Sequence, residues 1–421
     1  MEHKTTAALV LALVAIVGCV SIVRADRAAP LPATGSYLFV WAGEMNLAAM
    51  YGQTDGALQG TDFLAVLDVT PAEPRYGRLV TTLPVANSAM MPHHTNYAMP
   101  ADDLLFANDF DAGKTFIFDL RDPLHTQLTA SFEAAGNFTH PHSYVGLPNG
   151  NTLATYQQGT NDDTAPGALV ELDPAGHVVR SSAAADPRVE SFIRPYSLEV
   201  VPPLDRVVST SFDMDNKGVS HVVQVWRLSD LKLMKTIVLP HIHKNPVIAT
   251  GSSEPRLLAD GRTVLAGTFN CGLYRIDGLE GTNPSATLVY DFGARTCALP
   301  VVAGHFWLEA LQSIHCIVSL DVSDPSNPVE VGRITLGPED LPHWLALEPG
   351  GNRVVITGYG KLSTRILIAN VDMITGKLSL DEKFREQGSD QPGFSFDRHW
   401  PDGWQGMAIP HGAVFSRPVN K

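Results

Sequence analysis

Histidine is the residue type with the most chemistry to offer in this sequence. There are 15 histidines in 421 residues, and several keep fixed local company: His93-His94, His140-Pro141-His142, Pro342-His343 and Pro410-His411. A proline directly before His142, His343 and His411 restrains the backbone entering the segment that follows. A neutral imidazole offers a lone pair on a nitrogen that suits copper, iron, zinc or nickel, whereas the harder cations prefer oxygen. His94, His142, His343 and His411 are therefore the candidate metal ligands. His93 and His140 stand beside them as candidates for steadying a ligand ring through its other nitrogen, as Asp109 and Glu309 also could. These positions are far apart in sequence, so only a fold that returns the chain repeatedly to one axis can gather them.

The elements that must do this are short and repetitive. From Tyr37 onward the chain alternates apolar runs with polar turns, and no long stretch of helical period competes. One unit runs through Thr95–Met99, Leu104–Asp109, Lys114–Leu120 and Thr126–Phe132; the same four-strand order returns five more times. Incomplete units at the two ends combine into one more. The expected fold is all-β, a seven-bladed β-propeller over residues 35–418, closed by pairing of N- and C-terminal strands. The head of each innermost strand then faces one mouth of the channel. Across the seven units that position reads His94, His142, Tyr196, Glu254 with Pro255, Cys297, His343 and His411. The four histidines fall on consecutive blades, with Tyr196 and Cys297 placed to assist catalysis across the channel. The alternatives are four imidazoles bonded separately to backbone or water, or a metal-free catalytic cluster. His305 and His315 fall in second and third strands with core or lateral roles. His241 and His243 lie in a linker-like stretch. The aromatic insertion His399–Trp404 either roofs the channel or packs beside it.

The N-terminus reads as an export segment. Lys4 precedes an apolar run from Ala7 to Val20, too short for a convincing span, and residues 1–25 end in a small-residue cleavage site at Ala25. The rival is lipid attachment at Cys19, and either route places the protein in the periplasm or outside the cell. With 30 basic against 44 acidic residues the formal charge is −14, which disfavours nucleic acid as a partner and leaves a small molecule as the expected one. Beyond Cys19 there are Cys271, Cys297 and Cys316, with no C-x-x-C pair, so at most one bridge can form among them.

The series His93-His94-Thr95-Asn96, His140-Pro141-His142-Ser143, Arg194-Pro195, Val208-Ser209-Thr210-Ser211 and Val223-Gln224-Val225-Trp226 resembles the selenium-binding protein family, which includes copper-dependent methanethiol oxidases. Leu320-Asp321-Val322-Ser323-Asp324-Pro325 resembles a late blade of that family. The resemblance implies a seven-bladed fold, copper, and oxidation of a small thiol by molecular oxygen and water to an aldehyde, sulfide and hydrogen peroxide. It carries over as ligand segments only His93-His94 and His140-Pro141-His142. Without a C-x-x-C pair, selenium binding through cysteine is not expected, and an exported bacterial branch is the nearer comparison. Two rivals remain at this point. One is a nonheme iron oxygenase cleaving an unsaturated substrate at the same four histidines; the other is a non-enzymatic propeller that binds a ligand or protein on its face.

Overall fold

A strand of alternating character buries one face, but most strands here are apolar on both. Phe63–Asp68, Thr152–Gly159 and Arg353–Gly358 are almost wholly buried along their length, which requires a sheet packed on each side. The computed structural model describes residues 35–44, 60–86, 91–160, 165–190, 192–215, 221–240, 251–359, 363–403 and 405–417. The expected export segment, Cys19, the His241 and His243 pair and Trp404 lie outside these residues.

Seven antiparallel blades stack in a ring and bury those faces against one another. Blade 1 is Pro92–Thr95, Leu104–Asp109, Lys114–Asp119 and Gln127–Phe132. Blades 2, 3 and 4 begin at Phe138–Gly146, Pro195–Val201 and Ser252–Leu257. Blade 5 begins with only three residues, Val301–Ala303, and blade 6 with Pro342–Leu347. Blade 7 joins Ile409–Phe415 to Tyr37–Gly43, with Val40 opposite Ala413. This pairing ties the two ends of the domain together as expected. Trp41 locks the seam to blade 1, its indole nitrogen donating to the Asn108 carbonyl at 2.8 Å among Phe116 and Phe118. The outermost strands, such as Gln127–Phe132 and Val178–Ala183, carry most of the exposure.

Two expectations about position are corrected, and one left open is decided. Cys297 precedes the short inner strand of blade 5 instead of opening it, because that strand starts only at Val301. His305 and His315 lie in turns rather than strands; His315 adopts φ 54° after a short 3-10 turn. The insertion before His411 forms the hairpin Asp397–His399 with Gln405–Met407, and Trp400 packs on Phe63 at 4.4 Å and on Phe396. Of the two readings of this insertion, Trp400 follows the packing one, buried in the hydrophobic core. Among the described residues no helix is long and apolar enough to cross a membrane.

What positions the mouth is a β-bulge at the head of the inner strands. In blade 1 Pro92 pairs with Asp109 and Thr95 with Ala107, so His93 and His94 together oppose Asn108. The same two-against-one count recurs at Pro141/Tyr144, Pro195/Leu198 and Ser252/Pro255, and blade 6 shifts at Pro342/Trp344. A bulge leaves a backbone group outside the ladder and re-aims side chains. Here the opposed side chain satisfies that group. Asn108 Oδ1 accepts the His94 N–H at 2.8 Å, and Thr155 Oγ1 accepts the Ser143 N–H at 2.9 Å. The same side chains then reach the next blade: Asn108 Nδ2 donates to the Pro141 carbonyl, Thr155 Oγ1 to that of Tyr196, and Thr357 Oγ1 to that of His411.

Replacing Thr155 with Val keeps the shape but strands a buried N–H, and it should lower stability by about 1–3 kcal/mol; an unmoved urea midpoint would contradict the role given to these residues. Cys271 and Cys297, 26 residues apart, form a disulfide, while Cys316 is a buried free thiol. Cys271→Ser should cost roughly 3 kcal/mol by the loop-closure argument, and peptide mapping without reduction should recover the 271–297 link and no bridge to Cys316.

Candidate metal centre

Successive side chains on a regular strand point to opposite faces, but the bulge in blade 1 turns both His93 and His94 towards the axis. Their rings stack, with centroids 4.4 Å apart and planes 13° from parallel. His411 lies 4.2 Å from His93, and His142 lies 4.2 Å from His94 and 4.7 Å from His93. His343 joins at the edge, 4.7 Å from His411. One nitrogen from each of His93, His94 and His411 falls within 4.8 Å of the other two. Four blades thus bring five imidazoles together, all buried.

The expected ligands His94, His142, His343 and His411 all stand in this group. Its tightest trio, however, includes His93, which sequence spacing had placed behind the ligands; the bulge is the physical reason for the difference. His140, at φ 57°, packs against Phe110 instead of behind a ligand ring. Asp109 ends the strand opposite Pro92. Glu309 accepts the Trp307 indole N–H at 2.8 Å, so it steadies a tryptophan and not an imidazole. Cys297 is corrected outright: its sulfur is bonded to Cys271, and it offers no thiol.

The rings are kept neutral. Burial first, and then the neighbouring imidazoles, hold His93 and His94 well below the usual range. Burial does the same for His411, with His343 and His142 adding to it and the His93 carbonyl opposing. Burial lowers His343 to about 3, and His142 to about 3 against the pull of the Tyr196 carbonyl. His142 shows how such a ring is prepared. Its Nδ1–H donates to the Tyr196 carbonyl at 2.7 Å, which leaves the lone pair on Nε2, buried and without a partner. The Nδ1 of His93 and both ring nitrogens of His343 are also buried without hydrogen bonds; those of His411 make no well-formed one. An unsatisfied buried polar atom costs about 1–3 kcal/mol. Neutral imidazoles with orphaned lone pairs, converging from several directions, fit a transition-metal ion.

The rest of the mouth is aromatic. Tyr196 packs its ring 3.9 Å from His142 and holds its hydroxyl 3.4 Å from His94 Nε2. Phe212 and Phe269 pack on Tyr196 at 5.7 and 5.4 Å, and Tyr359 stacks on His343 at 4.8 Å. Sequence reasoning passed over Phe110, Phe212, Phe269 and Tyr359. Each directly follows the second strand of its blade, a recurrence that aligning the units at that strand would have revealed. Trp344, 5.0 Å from His94, donates its indole N–H to the Ala413 carbonyl at 2.8 Å.

Below the rings lies a buried acidic cluster. Glu254 Oε2 accepts from Ser197 Oγ at 2.5 Å and from Arg256 Nη1 at 2.6 Å. Arg256 lies over the Tyr97 ring, and the Tyr97 hydroxyl donates to Glu199 at 2.8 Å. Burial pushes Glu309 well above the usual carboxylate range, with Glu254 adding to the rise; burial raises Glu254 too, against the Arg256 guanidinium.

No protein-family model matches the chain. A stretch of 148 residues is 30% identical to methanethiol oxidase of Hyphomicrobium, covering 34% of this chain and 31% of that protein's length. Among solved structures, a hypothetical selenium-binding protein of Sulfolobus tokodaii superposes with a TM-score of 0.69 at 14% identity, over 92% of this chain and 94% of that one. The periplasmic gluconolactonase of Pseudomonas aeruginosa superposes with a TM-score of 0.59 at 14% identity, over 91% and 99%. The two structural likenesses share the propeller and not a chemistry. The chain is thus a seven-bladed propeller with a local sequence similarity to methanethiol oxidase.

Proposed function

We propose that this protein is an exported metal-dependent oxidase of a small thiol, with copper as its metal. The observation that carries the reading is the group of five buried, neutral imidazoles at one mouth of the channel. The similarity to methanethiol oxidase supports a thiol as substrate and oxygen as co-substrate. An ion that itself passes electrons from thiol to oxygen must be redox-active, which sets zinc aside, and copper(II) is the divalent ion that nitrogen donors hold most tightly. The Cys271–Cys297 bridge supports an oxidising compartment, in line with the expected export segment.

His93, His94 and His411 would hold the ion, with His142 completing the set. When bound, copper would supply a site for a thiolate and a route for electrons to oxygen. The chain's own groups do the rest. Tyr196 presents a hydroxyl beside His94 Nε2, able to hydrogen-bond a substrate atom there. Phe110, Trp344 and Tyr359 shield the rings from bulk water. Tyr196, Phe212 and Phe269 form an apolar wall suited to a short alkyl group. In the net reaction, one molecule each of methanethiol, oxygen and water would give one each of formaldehyde, hydrogen sulfide and hydrogen peroxide.

Elemental analysis of protein recovered from its native compartment should find about one copper per chain, and His94→Ala or His411→Ala should each remove at least nine-tenths of it. Oxygen uptake with methanethiol should fall in step, to below a hundredth of the wild-type rate. Iron in place of copper, with turnover of an unsaturated substrate and none of methanethiol, would replace this reading; absence of both metal and oxygen uptake would end it.

A further inference from the structure

His94 can carry its ring proton on either nitrogen, and the choice decides whether Nε2, 3.4 Å from the Tyr196 hydroxyl, keeps its lone pair. Its Nδ1 lies 2.9 Å from Ser143 Oγ, a hydroxyl that can serve as donor or acceptor and so selects neither tautomer. The same Nδ1 lies 3.8 Å from Glu254 Oε1. That oxygen is buried and makes no hydrogen bond, and its residue is 2% exposed. The other oxygen, Oε2, is held by Ser197 and Arg256, so the carboxylate is paired with a cation and its free oxygen is turned towards His94. Glu254 reaches this point because it sits in the bulge of blade 4, the same device that aims the histidines.

From this geometry we infer that Glu254 is the positioning residue that sets the tautomer of His94, keeping the proton on Nδ1 and the lone pair on Nε2. A carboxylate oxygen facing an N–H is attracted, whereas the same oxygen facing a nitrogen lone pair is repelled, and burial keeps water from weakening the difference. The 3.8 Å separation is longer than a hydrogen bond, so the influence is electrostatic, acting across a short buried distance. The effect acts first on the metal-free ring. It extends to the ion only through the proposed function, since an outer partner of this kind typically changes metal affinity roughly 10- to 100-fold.

The test is two measurements on the full chain. Imidazole proton–nitrogen correlation spectra of the metal-free protein should show His94 protonated on Nδ1, and Glu254→Gln should shift it to the Nε2–H form or a mixture. Competition with a chromophoric chelator should then show copper(II) bound about tenfold or more weakly by E254Q. Glu309→Gln, which alters the same acidic cluster without facing His94, should leave both readouts unchanged. An Nε2–H tautomer in the wild type overturns the inference, and this spectrum decides the matter even if E254Q does not fold. An E254Q protein unchanged in tautomer or in affinity, or an E309Q protein changed as much, overturns it too. Wild-type protein that binds no copper defeats the proposed function instead, while the tautomer measurement still judges the role of Glu254.

Discussion

Everything at the channel mouth depends on the bulge that opens each of these inner strands. A regular ladder would send His93 and His94 to opposite faces and carry the other histidines along the strands. The extra residue turns neighbouring side chains inward and strands a backbone N–H, which the facing Asn108 or Thr155 captures. That same side chain hydrogen-bonds the next blade, so the geometry of one inner strand is tied to its neighbour's. Proline fits the position before the bulge because it has no N–H to lose. Pro92, Pro141, Pro195, Pro342 and Pro410 all occupy it.

The ring of bulges gives a mouth of divided polarity. Blades 6, 7, 1 and 2 contribute imidazoles, while blades 3 and 4 contribute Tyr196, Phe212 and Phe269. Burial keeps the imidazoles uncharged, which is what makes them donors to a cation rather than a repelling positive cluster. Beneath them Glu254 is paired with Arg256, while burial favours the neutral acid form of Glu309. Around this, the paired ends of the chain and the Cys271–Cys297 link hold the ring closed.

The blade pattern was legible because its signals are local. Alternation, turn residues and repeated strand order mark each blade, and the pairing of residues 412–415 with 37–41 followed from counting incomplete units. The placement of His94, His142, His343 and His411 at one mouth followed from aligning inner strands. The inward turn of His93 was not legible, since a bulge changes side-chain direction without any change in composition. Cys297 misled for a related reason: blade 5 has an inner strand of three residues, so a register carried over from its neighbours slips there. Its partner Cys271 belongs to the preceding blade, in the turn after Val264–Thr268, a proximity that spacing does not encode.

The central claim is that imidazoles from separate blades share one ion. A crystal of the protein grown with copper, with anomalous data collected on either side of the copper absorption edge, tests it most directly. The predicted result is a single anomalous peak about 2 Å from nitrogens of His93, His94 and His411. Ordered waters bonded to each ring separately, with no peak among them, would contradict it.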